Sequence, residues 1–465
     1  MLRLLKQYYP IRNIFFILCE CAMIFLSVIL ACYILLDIPS TSFDPLIFFR
    51  IFIIALIVQS CLYFNDLYDI KISDSLKEIG IRLLQALGIS AFFLAFLYVI
   101  FPSLILGGGV FPLSILFVII FIIFWRIFYF WVLDRGLFNQ KIVLLGSGEL
   151  SQKIDKEIHD KKDSGYSIAM RVEENQTINQ TSSCEYNTYV IKKDFDGLCD
   201  IAKAMKIIKI VVAIQEKRGA FPTKELLKCR VGGIEVIDGD SFYEMLTGKI
   251  DVGQINPSWL IFSEGFKKSM VRRFIKRSED LILSFILLVT TAPLFILVAM
   301  LIKIDSKGPA LYSQERVGKN KKKYKIHKFR SMVADAEKHS GPVWAKDNDD
   351  RVTRVGKWLR KTRVDELPQL WNVFKGNMSF VGPRPERDFF VQQLEKAIPY
   401  YWERFSVKPG ITGWAQVSYS YGDSVEDAVE KLNYDLFYIK NMSTIMDVMI
   451  TLRTIKTVLF GKGAQ

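Results

Sequence analysis

The apolar positions of this chain fall into two regimes, long unbroken runs and short periodic ones. Four runs open it, at roughly 13–36, 47–65, 83–102 and 112–134, each near the ~20 residues that cross a bilayer as a helix. The first is too long, and too soon followed by others, to be a cleaved signal peptide. From Lys141 the pattern changes: KIVLLGSGELS reads as a buried strand, a glycine turn and a helix. Strands at 187–191, 208–214 and 233–237 then alternate with helices at 196–206 and 222–229, a Rossmann-like α/β order. The polar run 173–183 reads as a loop, and a fifth apolar stretch, Leu281–Ile302, is interrupted by Ala292-Pro293. Beyond it, KYKIHKF alternates like a short strand, and Leu367, Leu370, Trp371 and Phe374 recur at helical spacing. KPGITGWAQV, 408–417, reads as a Gly/Pro turn and a short strand, and a last helix runs from about 433 to 460. Its apolar face (Leu436, Phe437, Met446, Met449, Ile450) suits an interfacial helix or a packed core. The fold class is a membrane protein, α plus α/β: a four-helix transmembrane domain over 1–138, a Rossmann-like domain over 139–250, a connector over 251–271 and a third domain over 272–465.

Charge orients these segments. Arg3, Lys6 and Arg12 precede the first run, Lys71, Lys77 and Arg82 lie between the second and third, and Arg135 and Lys141 follow the fourth. Segments 37–46 and 103–111 have no Lys or Arg. Positive charge stays on the cytoplasmic side, which puts the N-terminus and residue 141 there. Arg50 and Arg126 lie at or within spans, where snorkelling or pairing between helices is expected. The fifth run carries basic flanks at both ends, Arg272 to Arg277 before it and Lys303, Lys307 and Lys319 to Lys323 after it. A helix over about 279–303 that bends at Pro293 and returns to the same face reconciles its length with those flanks. A fifth spanning helix is the alternative.

A net charge of +13 in 465 residues suits anionic headgroups and phosphorylated substrates. No zinc spacing or aromatic-basic motif favours nucleic acid. None of the seven cysteines lies beyond Cys229, so the last domain has no disulfide framework and no thiol nucleophile. The middle domain's phosphate fingerprint is weakened: Ser151 takes the third small position of Gly146-x-Gly148, and Glu149 brings negative charge. A structural or regulatory role is expected there rather than dinucleotide binding.

The candidate chemistry lies in KTRVDELPQLWNVFKGNMSFVGPRPE, 361–386. Thr362-x-x-Asp365 has capping-box spacing, which would put Asp365 and Glu366 at the electropositive start of a helix. One carboxylate could then face a phosphorus atom while its neighbour held a metal ion. An ordinary acidic first turn is the plainer reading of such a pair. Lys328 and Arg330 share a strand face and, with Arg360, Arg363 and Arg384, supply cations suited to phosphate oxygens. Pro383 and Pro385 stiffen the backbone around Arg384.

KFRSM, R-x4-DELPQLWNV, GNMSFVGPRPE and KPGITGWAQV, in this order, closely resemble the bacterial polyprenyl-phosphate sugar-1-phosphate transferases. The likeness covers about 272–465, and the front end looks like the long form of that family. The resemblance implies a monotopic catalytic domain on the cytoplasmic face of the bacterial inner membrane. It implies transfer of a sugar phosphate from a UDP-sugar to undecaprenyl phosphate with release of UMP, beginning a surface polysaccharide. Carried over by position, Asp365 would be the nucleophile, Glu366 the Mg²⁺ ligand, and Arg360 and Arg384 phosphate binders. Lys328, Arg330 and Lys408 would line the substrate pocket, and Pro293 would break the re-entrant helix. Undecaprenyl phosphate, the UDP-sugar and membrane lipid are the implied partners, a homodimer the expected assembly, and Mg²⁺ the cofactor. Two departures stand out: Ala292 replaces a frequent Ser before the helix-breaking proline, and Ser418-Tyr-Ser-Tyr-Gly422 replaces Asn-Gly-Arg. The latter, with NPSWLIFSEGF, resembles the subgroup associated with exosortase-type exopolysaccharide loci, so sugar identity does not carry over.

An aspartyl-phosphosugar intermediate would divide the transfer between a soluble donor and a lipid acceptor into two displacements. Three rivals remain open at this stage. Glycosidase-type carboxylates need a separation of about 5–9.5 Å across a sugar, which adjacent residues fit poorly. A nicotinamide oxidoreductase would use the middle domain, and a non-catalytic membrane scaffold would use neither site.

Overall fold

The computed structural model describes residues 2–4, 7–9, 11–36, 45–68, 76–136, 139–161, 164–172, 188–189, 197–214, 221–253, 257–333, 350–419, 422 and 424–460. The expected loop over 173–183, Lys71 and most of segment 37–46 lie outside these residues. The chain divides into two compact units, whose bulk is residues 8–239 and 240–465.

In the first unit the apolar runs form helices Ile11–Leu36, Pro45–Phe64, Leu76–Ile100 and Val110–Asp134. All four are long and apolar enough to cross a membrane, as is a fifth, Met270–Asp305, in the second unit. Ile24, Ile51, Leu83 and Ile122 are buried between the first four, while Phe92, Val99 and Phe124 stand exposed. Helices apolar on every side suit a hydrocarbon solvent. Arg126 pairs between helices, with Nη2 2.8 Å from Glu20 Oε1 and Nη1 donating to Leu67 O at 2.8 Å. Both side chains are nearly inaccessible, so removing either partner would strand a buried charge at a cost of about 3–5 kcal/mol.

The α/β segment holds five parallel strands: Gln140–Leu145, Tyr166–Val172, Thr188–Tyr189, Lys209–Val212 and Glu235–Asp238. Their spatial order, numbered along the chain, is 3-2-1-4-5. Tyr166–Val172 is absent from the strands expected above, although YSIAMRV buries every second residue. Gly146 ends the first strand at φ 121°, where a Cβ would lie 2.7 Å from the Ala213 carbonyl carbon, so only glycine fits. Glu149 pairs with Lys153 at 3.1 Å along the helix Glu149–Asp160.

The second unit is built on Met270–Asp305, whose N-terminus is capped by Ser269 accepting from Arg272 N. The helix continues through Pro293. Ala292 offers no hydroxyl, but Thr290 and Thr291 lie close by: Thr290 Oγ1 donates to Ile286 O at 2.9 Å and Thr291 Oγ1 to Leu287 O at 2.6 Å. Such back-bonding, next to a residue with no N–H of its own, bends helices. An antiparallel hairpin follows, Leu311–Val317 with Lys323–Phe329, its register running from Leu311↔Phe329 to Val317↔Lys323. Ser379–Val381 pairs in parallel with Gly410–Thr412. The short strand expected in KPGITGWAQV is Gly410–Thr412, and the residues after it form a short helix, Trp414–Ser418. The expected last helix is two helices, Val425–Asn441 and Thr444–Phe460. Leu436, Phe437, Met446 and Ile450 are buried in the core with Val381, Leu394 and Tyr401, so that face is core; Val448, Leu452 and Ile455 are the exposed stripe. Residues 240–253 also pack here: Lys249 Nζ lies 2.6 Å from Glu430 Oε1, and Val252 N donates to Asn433 Oδ1 at 3.0 Å.

Candidate active site

Asp365 and Glu366 lie on a 3₁₀ turn, Val364–Glu366, between the helices Arg354–Lys361 and Gln369–Lys375. The capping box expected at Thr362 does not form. Thr362 terminates the preceding helix and its Oγ1 donates back to Trp358 O at 2.9 Å. Arg363 then takes a left-handed conformation, φ 53°, which turns the chain and costs a non-glycine residue about 1–3 kcal/mol. Both carboxylates are 8% exposed.

Close packing brings the surrounding cations in. Gly356 lies against Ser331, whose carbonyl any Cβ would strike. This seats Arg354–Lys361 on the end of the hairpin and lets Arg360 Nε donate to Ser331 Oγ at 3.0 Å. Asn372 fastens the next helix to the hairpin: its Nδ2 donates to Lys325 O at 2.8 Å, and its Oδ1 accepts from His327 N at 3.1 Å. Lys328, one residue on, then sets Nζ 3.0 Å from Glu366 Oε1. Arg384, between two prolines, brings Nη2 to the same oxygen at 3.0 Å.

The two carboxyls are driven apart electrostatically. Burial alone would raise Glu366, but Lys328, Arg384 and Arg363 outweigh it and hold the group well below the usual carboxylate range. Asp365 moves the other way, to about 6: burial raises it, Lys328 offsets part of that, and the neighbouring Glu366 charge adds to the rise. Burial also lowers the Arg363 guanidinium. The result is one carboxylate fixed by cations and one held in reserve, the separation that marks reactive carboxyl pairs.

The structure separates the remaining expected residues. Lys328, Arg360 and Arg384 surround the acidic pair. Arg330 does not join them: its guanidinium donates to Ser306 O at 2.8 Å and Lys307 O at 3.1 Å, closing the end of the long helix. The strand stops at Phe329, so the shared face of Lys328 and Arg330 is lost. Lys408 lies near Arg277 at Gly376, beyond the far end of Gln369–Lys375, and is lowered by burial and by Arg277. Pro293 lies in the middle of the long helix. Residues that sequence reasoning missed include Asn372 and Asp280, whose Oδ1 accepts from Ser379 Oγ at 2.9 Å and Phe380 N at 2.8 Å. Asn372 carries one signal, its interruption of the apolar run LWNVF; Asp280, next to Glu279 in a polar segment, carries none.

Among the described residues no group of three or more His, Cys, Asp or Glu converges on one point. Mg²⁺ is usually held by one or two carboxylates plus substrate phosphates rather than an all-protein cage. Two buried adjacent carboxyls beside Lys328 and Arg384 are compatible with that donor set, and Glu366 is the residue that would hold the ion.

The bacterial sugar transferase family model matches residues 271–461. The chain is 43% identical over 240 residues to a UDP-N-acetylgalactosamine-undecaprenyl-phosphate N-acetylgalactosaminephosphotransferase of Aeromonas hydrophila, covering 52% of this chain and 56% of that protein. It is 35% identical over 271 residues to a UDP-glucose:undecaprenyl-phosphate glucose-1-phosphate transferase of Escherichia coli, covering 57% and 58%. With an undecaprenyl-phosphate galactose phosphotransferase of Salmonella typhimurium it shares 30% over 347 residues, covering 71% of this chain and 70% of that one. The chain thus spans little more than half the length of the first two relatives.

A carboxyl raised above its unfolded value, about 3.9, weakens the fold once pH exceeds that of the folded group and not below about pH 4. In metal-free detergent solution at pH 8, Asp365→Asn is expected to raise the thermal midpoint by about 2–6 °C, the gain vanishing toward pH 4. An unchanged midpoint at pH 8 would contradict the burial and repulsion described for Asp365.

Proposed function

The chain belongs to the bacterial sugar transferase family, and from that premise we propose that it transfers a sugar-1-phosphate from a UDP-sugar to undecaprenyl phosphate. The observation that carries this reading is the convergence of Lys328 and Arg384 on Glu366 Oε1, with Asp365 beside it. Arg384 and Arg360 are suited to the diphosphate oxygens of the donor, where guanidinium can bond to two at once. An Asp365 oxygen attacks the phosphorus that bears the sugar. The bond from that phosphorus to the bridging oxygen breaks, and UMP departs with the electron pair, leaving a phosphosugar esterified to Asp365. A phosphate oxygen of undecaprenyl phosphate then attacks the same phosphorus, forms undecaprenyl-diphosphate-sugar and frees the Asp365 carboxylate. Mg²⁺, when bound through Glu366, would supply further neutralisation of the diphosphate. Low leaving-group basicity means UMP needs little protonation.

Membrane attachment follows the same reading. The ends of Met270–Asp305 are tied into one unit: Arg272 Nη2 lies 3.3 Å from Asp447 Oδ2, and Asp305 Oδ2 accepts from Val355 N at 3.1 Å. A helix fastened at both ends to one domain enters and leaves on one side of the bilayer, which supports a re-entrant form bent near Pro293. The basic flanks of the first four spans support a cytoplasmic active site at the bacterial inner membrane. The parallel order 3-2-1-4-5 supports a Rossmann-like reading of the segment before it. A homodimer remains part of the proposal on the family resemblance alone.

With a panel of UDP-sugars, undecaprenyl phosphate and Mg²⁺, Asp365→Asn is expected to lower UMP release at least 10³-fold, and Glu366→Gln about 10–10³-fold. Near-wild-type turnover by Asp365→Asn would exclude it as the nucleophile. Single cysteines at Ser269 and Ser306 should both react with an impermeant thiol reagent from the cytoplasmic side, in a background whose native cysteines are removed. Labelling of position 306 only from the opposite side would mean a fifth span.

A further inference from the structure

The turn that carries Arg384 has two prolines and therefore two missing donors, so its carbonyls are held from outside. Pro383 O accepts from Gly410 N at 2.9 Å, and Glu386 O accepts from Val317 N at 3.0 Å. The two carbonyls between them go to arginine side chains. Arg384 O accepts from Arg404 Nη2 at 3.0 Å, and Pro385 O accepts from Arg316 Nη1 at 3.2 Å. Arg404 is 7% exposed. Its Nη2 also donates to Asp435 Oδ2 at 3.0 Å, and its Nη1 donates to the Tyr401 hydroxyl at 2.5 Å. Asp435, from the helix Val425–Asn441, is buried as well.

Resting on the function proposed above, we infer that Arg404, oriented by Asp435 and Tyr401, is a positioning residue that fixes the main chain of Arg384 and so aims its guanidinium at Glu366 and the donor diphosphate. Burying a guanidinium costs several kcal/mol unless its donors are met. Here one donor group serves both a carboxylate and the backbone oxygen of the residue that reaches the acidic pair. The Arg384 side chain is 38% exposed. Its guanidinium meets Glu366 Oε1 at 3.0 Å, and its reach depends on where its backbone stands. Pro383 and Pro385 make the turn stiff, which means a displacement of Arg384 O carries the whole side chain with it. Asp435, Arg404, Arg384 and Glu366 thus form a continuous chain of contacts from the core to the site.

A packing role and a positioning role differ in whether Arg404 matters once Arg384 is gone. Wild type, Arg404→Met, Arg384→Ala and the double variant are compared for kcat/KM of UMP release, and for UDP affinity by calorimetry. Arg404→Met is expected to lower kcat/KM about 10–100-fold in the wild-type background, the scale of a misplacement near 1 Å. It should lower it less than about 3-fold in the Arg384→Ala background. UDP affinity should follow the same non-additive pattern. Equal losses in both backgrounds would overturn the inference. Asp435→Asn, which keeps an acceptor for Arg404, provides the same cycle with a smaller loss should Arg404→Met fail to fold. If wild type releases no UMP from any UDP-sugar, the proposed reaction fails instead, and the UDP affinities of the four proteins decide on Arg404.

Discussion

Two adjacent buried carboxyls cannot both stay ionised unless cations neutralise the charge, and that constraint draws three segments of the second unit together. Lys328 and Arg384 both reach Glu366 Oε1 at 3.0 Å. One comes from the end of a hairpin strand and the other from a proline-stiffened turn, 56 residues apart in sequence. Hairpin, acidic turn and proline turn must therefore meet at one oxygen. Once Glu366 is held ionised, its charge and the surrounding burial raise Asp365, so the pair has one fixed anion and one group in reserve. Burial of such a pair carries a cost in stability, which is common at functional sites.

The same logic extends beneath the site. Asp280 of the long helix accepts from Ser379 Oγ and Phe380 N, at the strand that leads into the proline turn. The Tyr438 hydroxyl, with one proton between two acceptors, lies 2.8 Å from Asp447 Oδ1 and 3.0 Å from Val381 O, bracing that strand from the core side. A helix long and apolar enough to cross a membrane and the strand leading to the candidate site are thus joined by buried hydrogen bonds. Such networks are costly when half-satisfied and rigid when complete. They fix the position of the acidic pair relative to the long apolar helix.

Much of this was legible in the chain. Long apolar runs gave the membrane-length helices because length and composition alone specify them. Lys328, Arg384 and the acidic pair were recoverable because each sits in a distinctive local motif. Arg330 misled because strand alternation continues on paper, whereas the strand ends at Phe329 and the guanidinium turns toward Ser306. Thr362 misled in a similar way: its spacing to Asp365 suits a cap, but the preceding helix claims it. Tyr166–Val172 was legible too, since Ser167, Ala169 and Arg171 alternate with buried Tyr166, Ile168, Met170 and Val172 at the period of a half-buried strand. Arg404 and Asp435 carry no motif; only tertiary packing brings them to Arg384 O, and no one-dimensional pattern encodes that.

The central claim is a covalent one, that the Asp365 carboxylate itself takes up the phosphosugar. Intact and peptide mass spectrometry of the purified protein, after mixing with a turned-over UDP-sugar and Mg²⁺ but no polyprenyl acceptor, tests it most directly. The account requires a mass increment of one sugar phosphate on the peptide containing Asp365, discharged when undecaprenyl phosphate is added. Complete UMP release with acceptor present, but no increment on that peptide under any quench, would mean direct transfer between donor and lipid and would contradict it.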